Sequence, residues 1–146
     1  MSDGRYFQRE LAALPEIFAF TAAAYERHRL APELRPSVDL VIEELFTNMV
    51  KYGAGRSPVN ISIMSLPAGV EVTMIEPDAD YFDVTTPPPV DITRPAADRQ
   101  PGQLGLHLIP RFVDAIDYAY SPAERIGRIT FRKSAGAGPA GGRSSC

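Results

Sequence analysis

Glu44 and Asn48 stand four residues apart in the run Val41-Ile-Glu-Glu44-Leu-Phe-Thr-Asn48-Met-Val-Lys51-Tyr52-Gly53. On a helix that spacing places both side chains on one face, and Lys51 falls one turn further along it. A carboxylate can take a proton from an attacking hydroxyl, and an amide oxygen is a hard ligand suited to Mg²⁺. By itself E-x-x-x-N is common and also fits a solvated helix face. A second candidate is Gly102-Gln-Leu104-Gly105-Leu106. Small residues at a helix entrance let backbone N–H groups approach anionic oxygens, and the helix dipole favours the anion. The third is Glu76-Pro-Asp78-Ala-Asp80-Tyr-Phe82-Asp83. Carboxylates there can accept from an exocyclic amine or hold a cation, although a plain acidic turn has the same composition.

These residues need elements to position them. Leu14-Pro15-Glu16 opens a helix, with proline at the first turn and a carboxylate beside the positive helix end, and Ile17, Phe18, Ala22 and Tyr25 continue it to about residue 30. Val38, Val41, Ile42, Leu45, Phe46 and Met49 recur with a period of 3.6, which predicts a helix over 36–53 that Gly53 ends. After Pro58 the period changes to two. Val59, Ile61 and Ile63, then Val70, Val72 and Met74, alternate with polar residues around Pro67-Ala-Gly69, which predicts a hairpin over 58–76. Residues 77–103 are proline-rich and lack a sustained period, as expected of a lid that covers a site. A helix over 104–113 containing Pro110 follows, then a hairpin of strands at 115–120 and 126–132. The segment from Arg5 to Leu11 is available as a sheet edge. One-sided apolar stripes on helices and strands require a shared interface, so the expected fold is a two-layer α/β sandwich. Its sheet is mixed and mainly antiparallel, with the helices on one face.

Composition narrows the classes. The 146 residues carry 18 acidic and 15 basic side chains, a formal net charge of −3. That gives no basic surplus for direct nucleic-acid binding. No apolar run approaches a membrane span, and the first residues lack a secretory layout. Cys146 is the one cysteine, so neither an internal disulfide nor a cysteine zinc site is available. The expectation is a cytoplasmic protein with one domain over 1–133 and a Gly/Ala/Ser-rich tail over 134–146. His28 and His107 are read as structural or surface residues, and Phe18, Phe46, Phe112 and Phe131 as core.

Taken in order, the E-x-x-x-N helix, hairpin, acidic loop, lid, G-x-x-G helix and final strands resemble the GHKL (Bergerat-type) ATP-binding domain from about Arg9 to Lys133. More closely, the chain resembles the small anti-sigma-factor serine kinases of the RsbW/SpoIIAB type. The segment 41–53 is similar to the family's N box, and Gly102-Gln-Leu-Gly105-Leu-His-Leu-Ile109 with Asp114 to its second glycine box. The resemblance implies that Glu44 is the general base toward a serine of a partner protein and that Asn48 holds Mg²⁺. It also implies that Lys51 meets a phosphate of ATP. Gly102, Gly105 and the backbone around Leu104 and Leu106 would cradle the phosphates under a lid over about 83–103. The implied partners are a sigma factor and an anti-anti-sigma antagonist, and a homodimer is suggested.

The first glycine box departs from the family pattern, D-x-G-x-G or a variant ending in Phe-Asp-Pro. Aligning Phe82-Asp83 puts Ala79 at a glycine position and Pro77 where the adenine-reading aspartate belongs. A second register gives that role to Glu76, and Asp78 is a third candidate. No register recovers both glycines. The alternative function is therefore a protein-binding module with weak or absent nucleotide binding. A carboxylate–metal hydrolase using Glu43, Glu44, Asp78 and Asp80 is a third class.

Overall fold

A computed structural model describes residues 2–87 and 103–135. Gly102, residues 88–102 of the expected lid and residues 136–146 of the expected tail lie outside the described residues.

Five strands form one sheet in the order β1 (Ser2–Phe7), β2 (Val59–Leu66), β3 (Gly69–Glu76), β5 (Ile126–Ser134), β4 (Ala115–Ser121). Every pairing is antiparallel, so the sheet is not mixed. Each neighbouring pair within 59–134 is a hairpin or a return across the sheet, and the N-terminal segment adds to β2 as an antiparallel edge. That edge begins earlier than Arg5 and ends at Phe7. Registers such as Ile61 opposite Met74 and Val72 opposite Phe131 align the apolar positions on one face. Val59, Ile61, Ile63, Val70, Val72, Met74, Ile129 and Phe131 are buried there. The opposite face is polar, with Thr73 beside Thr130 and Arg132 reaching Glu71 at 2.8 Å.

Three α-helices among the described residues cover the apolar face: α1 (Leu14–Arg27), α2 (Arg35–Tyr52) and α3 (Gln103–Leu108). All six residues of the α2 stripe are buried, each contributing on the order of 1.5–3 kcal/mol by removal from water. Phe46 and Phe131 are fully buried, whereas Phe18 and Phe112 are half-buried. A polar seam joins α1 to α2, where Arg35 donates to Asp39 at 3.0 Å and to the Phe18 carbonyl at 3.1 Å. Burial pushes the Asp39 carboxyl above its ordinary range despite that guanidinium.

Three boundaries differ from the sequence reading for physical reasons. The first helix stops at Arg27 because Arg29 turns left-handed, at φ 53°. Leu30 N–H then donates to the Tyr25 carbonyl and Arg29 N–H to that of Glu26, the Schellman arrangement. The α3 segment gives way to a 3₁₀ turn over Ile109–Arg111, since Pro110 has no N–H to continue an α ladder. Ser134, assigned to the tail, instead ends β5, where its N–H donates to Asp114 Oδ2 at 2.7 Å. Ala135 N–H bonds the Ala68 carbonyl in turn.

Candidate functional site

The site is built along α2, whose buried stripe fixes the helix against the sheet and leaves Glu44 and Asn48 half-buried and Lys51 exposed. At roughly 100° per residue, Asn48 and Lys51 flank the Glu44 direction closely. Asn48 makes no side-chain hydrogen bond among the described residues.

At one end of this row α3 packs directly on Glu44. A Cβ added at Gly105 would stand 2.7 Å from the Glu44 carboxyl carbon and 3.1 Å from Oε1, with Oε2 nearer still. A residue without a side chain is what lets the α3 backbone come this close. Burial raises the pKa of the Glu44 carboxyl above its ordinary value, and Glu43 beside it adds to the rise while Lys51 opposes it. A carboxyl displaced in this direction moves toward the range in which proton acceptance at neutral pH is efficient. Leu106 is 2% exposed and belongs to the core, so only its backbone is available to a ligand. Leu104 lies in α3.

The other end is organised by a cation that no sequence motif marks. Glu76 ends β3 beside Gly53, whose added Cβ would lie 2.7 Å from Glu76 Oε2 and 3.1 Å from Arg9 Nη1. Gly53 caps α2 in extended backbone, with φ −71° and ψ 148°. It is required there by crowding rather than by left-handed geometry. Arg9, with its side chain 2% exposed, donates to Glu76 Oε2 at 3.0 Å, to the Ser57 carbonyl at 3.1 Å and to the Pro77 carbonyl. Burial still pushes the Glu76 carboxyl upward, outweighing the pull of Arg9. Glu76 is thus held by a protein cation, whereas Asp78 is exposed and accepts a hydrogen bond from Ser57 Oγ. Asp78 has φ 53°, the left-handed conformation a glycine would supply and that aspartate tolerates better than most residues. The register beginning at Glu76 places the first glycine of the family pattern at this position.

The loop after Asp78 rests on the β4–β5 hairpin. Ala79 N–H donates to the Arg125 carbonyl at 2.8 Å, and Tyr120 Oη donates to the Ala79 carbonyl at 2.7 Å. Phe82 N–H donates to Tyr118 Oη at 3.0 Å, and Tyr81 meets both tyrosine rings edge-on. Arg9, Ser57, Tyr118 and Tyr120 were not legible as site residues. Tyr118 and Tyr120 share a strand face by their spacing of two, but nothing local points to the loop they hold.

The structure therefore brings Glu44 to Gly105, and Glu76 and Asp78 to the end of α2, with Asn48 and Lys51 between. Glu44 and Gly53 are nine residues apart, about 14 Å of helix. Among the described residues no group of three or more His, Cys, Asp or Glu side chains is placed to hold a metal ion. The cluster of Glu43, Glu44, Asp78 and Asp80 needed by a carboxylate–metal hydrolase is not formed. The side chain of His28 is buried, with Nε2 3.2 Å from Asp3 Oδ2, and His107 is exposed. No helix among the described residues is long and apolar enough to cross a membrane.

No curated protein matches this sequence. The family model described as the histidine kinase-like ATPase domain matches residues 7–132, which take in β2, β3, β4, most of β5 and the three described helices but only the last residue of β1, and the chain belongs to that ATP-binding, GHKL-type family.

Proposed function

We infer that this chain is a protein serine kinase of the anti-sigma-factor type, which phosphorylates a small antagonist protein and otherwise sequesters a sigma factor. The observation that carries the reading is the half-buried Glu44 carboxyl lodged against the Gly105 backbone, with Asn48 and Lys51 on the same helix face. The donor set fits Mg²⁺ and ATP: the Asn48 amide, which makes no side-chain hydrogen bond among the described residues, the exposed Lys51 ammonium, and the α3 backbone brought close at Gly105. ATP supplies the transferable phosphoryl group when bound, with Mg²⁺ neutralising its charge. Asn48 would hold the cation and Lys51 a phosphate oxygen. The phosphates would lie toward Gly105 and the base end toward Asp78. Glu44, desolvated and raised in pKa, is suited to take the proton from an incoming serine hydroxyl. Such a transfer needs positioning, a cation and a base, and little covalent chemistry from the protein.

A second reading, a protein-binding module with weak or absent nucleotide binding, draws on the Arg9–Glu76 ion pair. That pair engages a carboxylate which would otherwise be available to a base amine.

Calorimetry with ATP and Mg²⁺, followed by a transfer assay on antagonist proteins carrying a phosphorylatable serine, tests the proposal. Micromolar binding with phosphoserine formation is expected. Binding without transfer overturns the kinase reading, and a folded protein that binds no nucleotide leaves the module.

A further inference from the structure

We propose that Arg9 is a positioning residue that sets the loop 77–83 against the end of α2 and thereby shapes the base end of the nucleotide site; the second half of this statement rests on the function proposed above.

The first argument is electrostatic. Glu76 lies beside Gly53 at the C-terminal end of α2, where the helix dipole is negative and a carboxylate is disfavoured. Burial adds a second penalty. A cation with its side chain 2% exposed stands there and pairs with Glu76. The second argument is geometric. The guanidinium uses Nε, Nη1 and Nη2 on three acceptors in two stretches of chain: the Ser57 carbonyl before β2, and the Glu76 carboxylate and Pro77 carbonyl where β3 passes into the loop. A planar fork with donors in fixed directions can join three acceptors in this way, whereas an ammonium on a flexible stem cannot reproduce it. The bond to Pro77 lies one residue before Asp78, and Ser57, which supplies the carbonyl to Arg9, also donates its hydroxyl to Asp78. Through these contacts Arg9 determines where Asp78 stands without touching a ligand itself.

Arg9→Lys keeps the positive charge and removes the fork. Arg9→Met with Glu76→Gln removes both charges, so a buried carboxylate is not stranded if the lysine variant folds poorly. Hydrogen exchange at the Ala79 and Phe82 amides reads the loop directly, because their acceptors are on the β4–β5 hairpin rather than on Arg9. Both variants are expected to speed exchange at these two amides at least tenfold, with protection in β2, β3 and β5 retained. Calorimetry on the same folded samples is expected to show ATP affinity reduced at least tenfold. Wild-type exchange at Ala79 and Phe82 in a folded variant overturns the positioning role, as does a uniform loss of protection across the sheet. Faster loop exchange in the variants of a wild-type chain that binds no ATP upholds the positioning and removes only the nucleotide reading.

Discussion

The Glu44 carboxyl occupies the space where a side chain on Gly105 would begin, so the proposed base and the backbone of α3 are fitted to one another across two elements 61 positions apart in the chain. Gly105→Ala consequently has separable effects. The added methyl meets the far end of a flexible side chain, which can rotate away, and alanine favours a helix over glycine by up to about 1 kcal/mol. Thermal unfolding is expected to show no loss of stability, while phosphoryl transfer falls by about 10–100-fold as the carboxyl is displaced. A variant that is active but unstable would mean that the contact is only structural.

Glu44→Gln and Asn48→Ala distinguish a base from a cation ligand. Glutamine keeps the size of the side chain but cannot accept the serine proton. Nucleotide affinity should therefore hold while transfer drops by about 10²–10⁴. Alanine at 48 removes the amide, and Mg²⁺-dependent affinity and transfer should decline together. Neither side chain belongs to the buried stripe of α2, so neither urea midpoint is expected to fall much below that of the parent chain. Titrations with and without Mg²⁺ decide the second role.

The raised pKa of Glu44 also makes a prediction about stability. The folded chain holds this proton more tightly than the unfolded chain, whose glutamate titrates near its ordinary value of 4.5. The favourable contribution is fully present below that value and is lost as pH rises through the folded pKa above it. Glu44→Gln does not titrate, so its stability relative to the parent should increase between pH 4 and pH 7.5. Denaturant unfolding at the two pH values measures this. An equal difference at both would show that the carboxyl is not desolvated.

Arg29 occupies the left-handed position that closes α1. Glycine takes this conformation without a Cβ clash, so Arg29→Gly is expected to stabilise the fold by about 0.5–1 kcal/mol after the added entropy of the unfolded chain is offset. A thermal melt with an unchanged far-UV spectrum tests it. No gain would mean that the Arg29 side chain contributes what its backbone costs.

Periodicity made much of this architecture legible. The six apolar stripe residues between Val38 and Met49 are all buried, the 58–76 hairpin pairs as its alternation requires, and the final two strands pair as expected, because local pattern and tertiary burial select the same residues. Pro110 was visible as an interruption, but the tight turn it imposes depends on which carbonyl it leaves unbonded. The left-handed arginine closing α1 had no glycine to announce it. Arg9 was not legible as a site residue because its role depends on a carboxylate 67 residues away and on the end of a helix that the hairpin return brings to both. Nor could spacing show that α3 would meet Glu44 through the single residue able to let it approach. The face shared by Glu44 and Asn48 follows from helical repeat alone.

The tie between Arg9 and Glu76 has a consequence for the order of assembly. During synthesis the arginine emerges 67 residues ahead of its counter-charge, an interval of several seconds at roughly 5–20 residues per second. In that interval the whole of α1, α2 and β2 is made. The guanidinium must stay hydrated until β3 pairs and presents Glu76. Closing so distant a contact carries a large entropic cost that is recovered only when the strands are in register. The rim of the candidate site therefore forms only after β3 has been made, and a nascent chain interrupted before residue 76 lacks it.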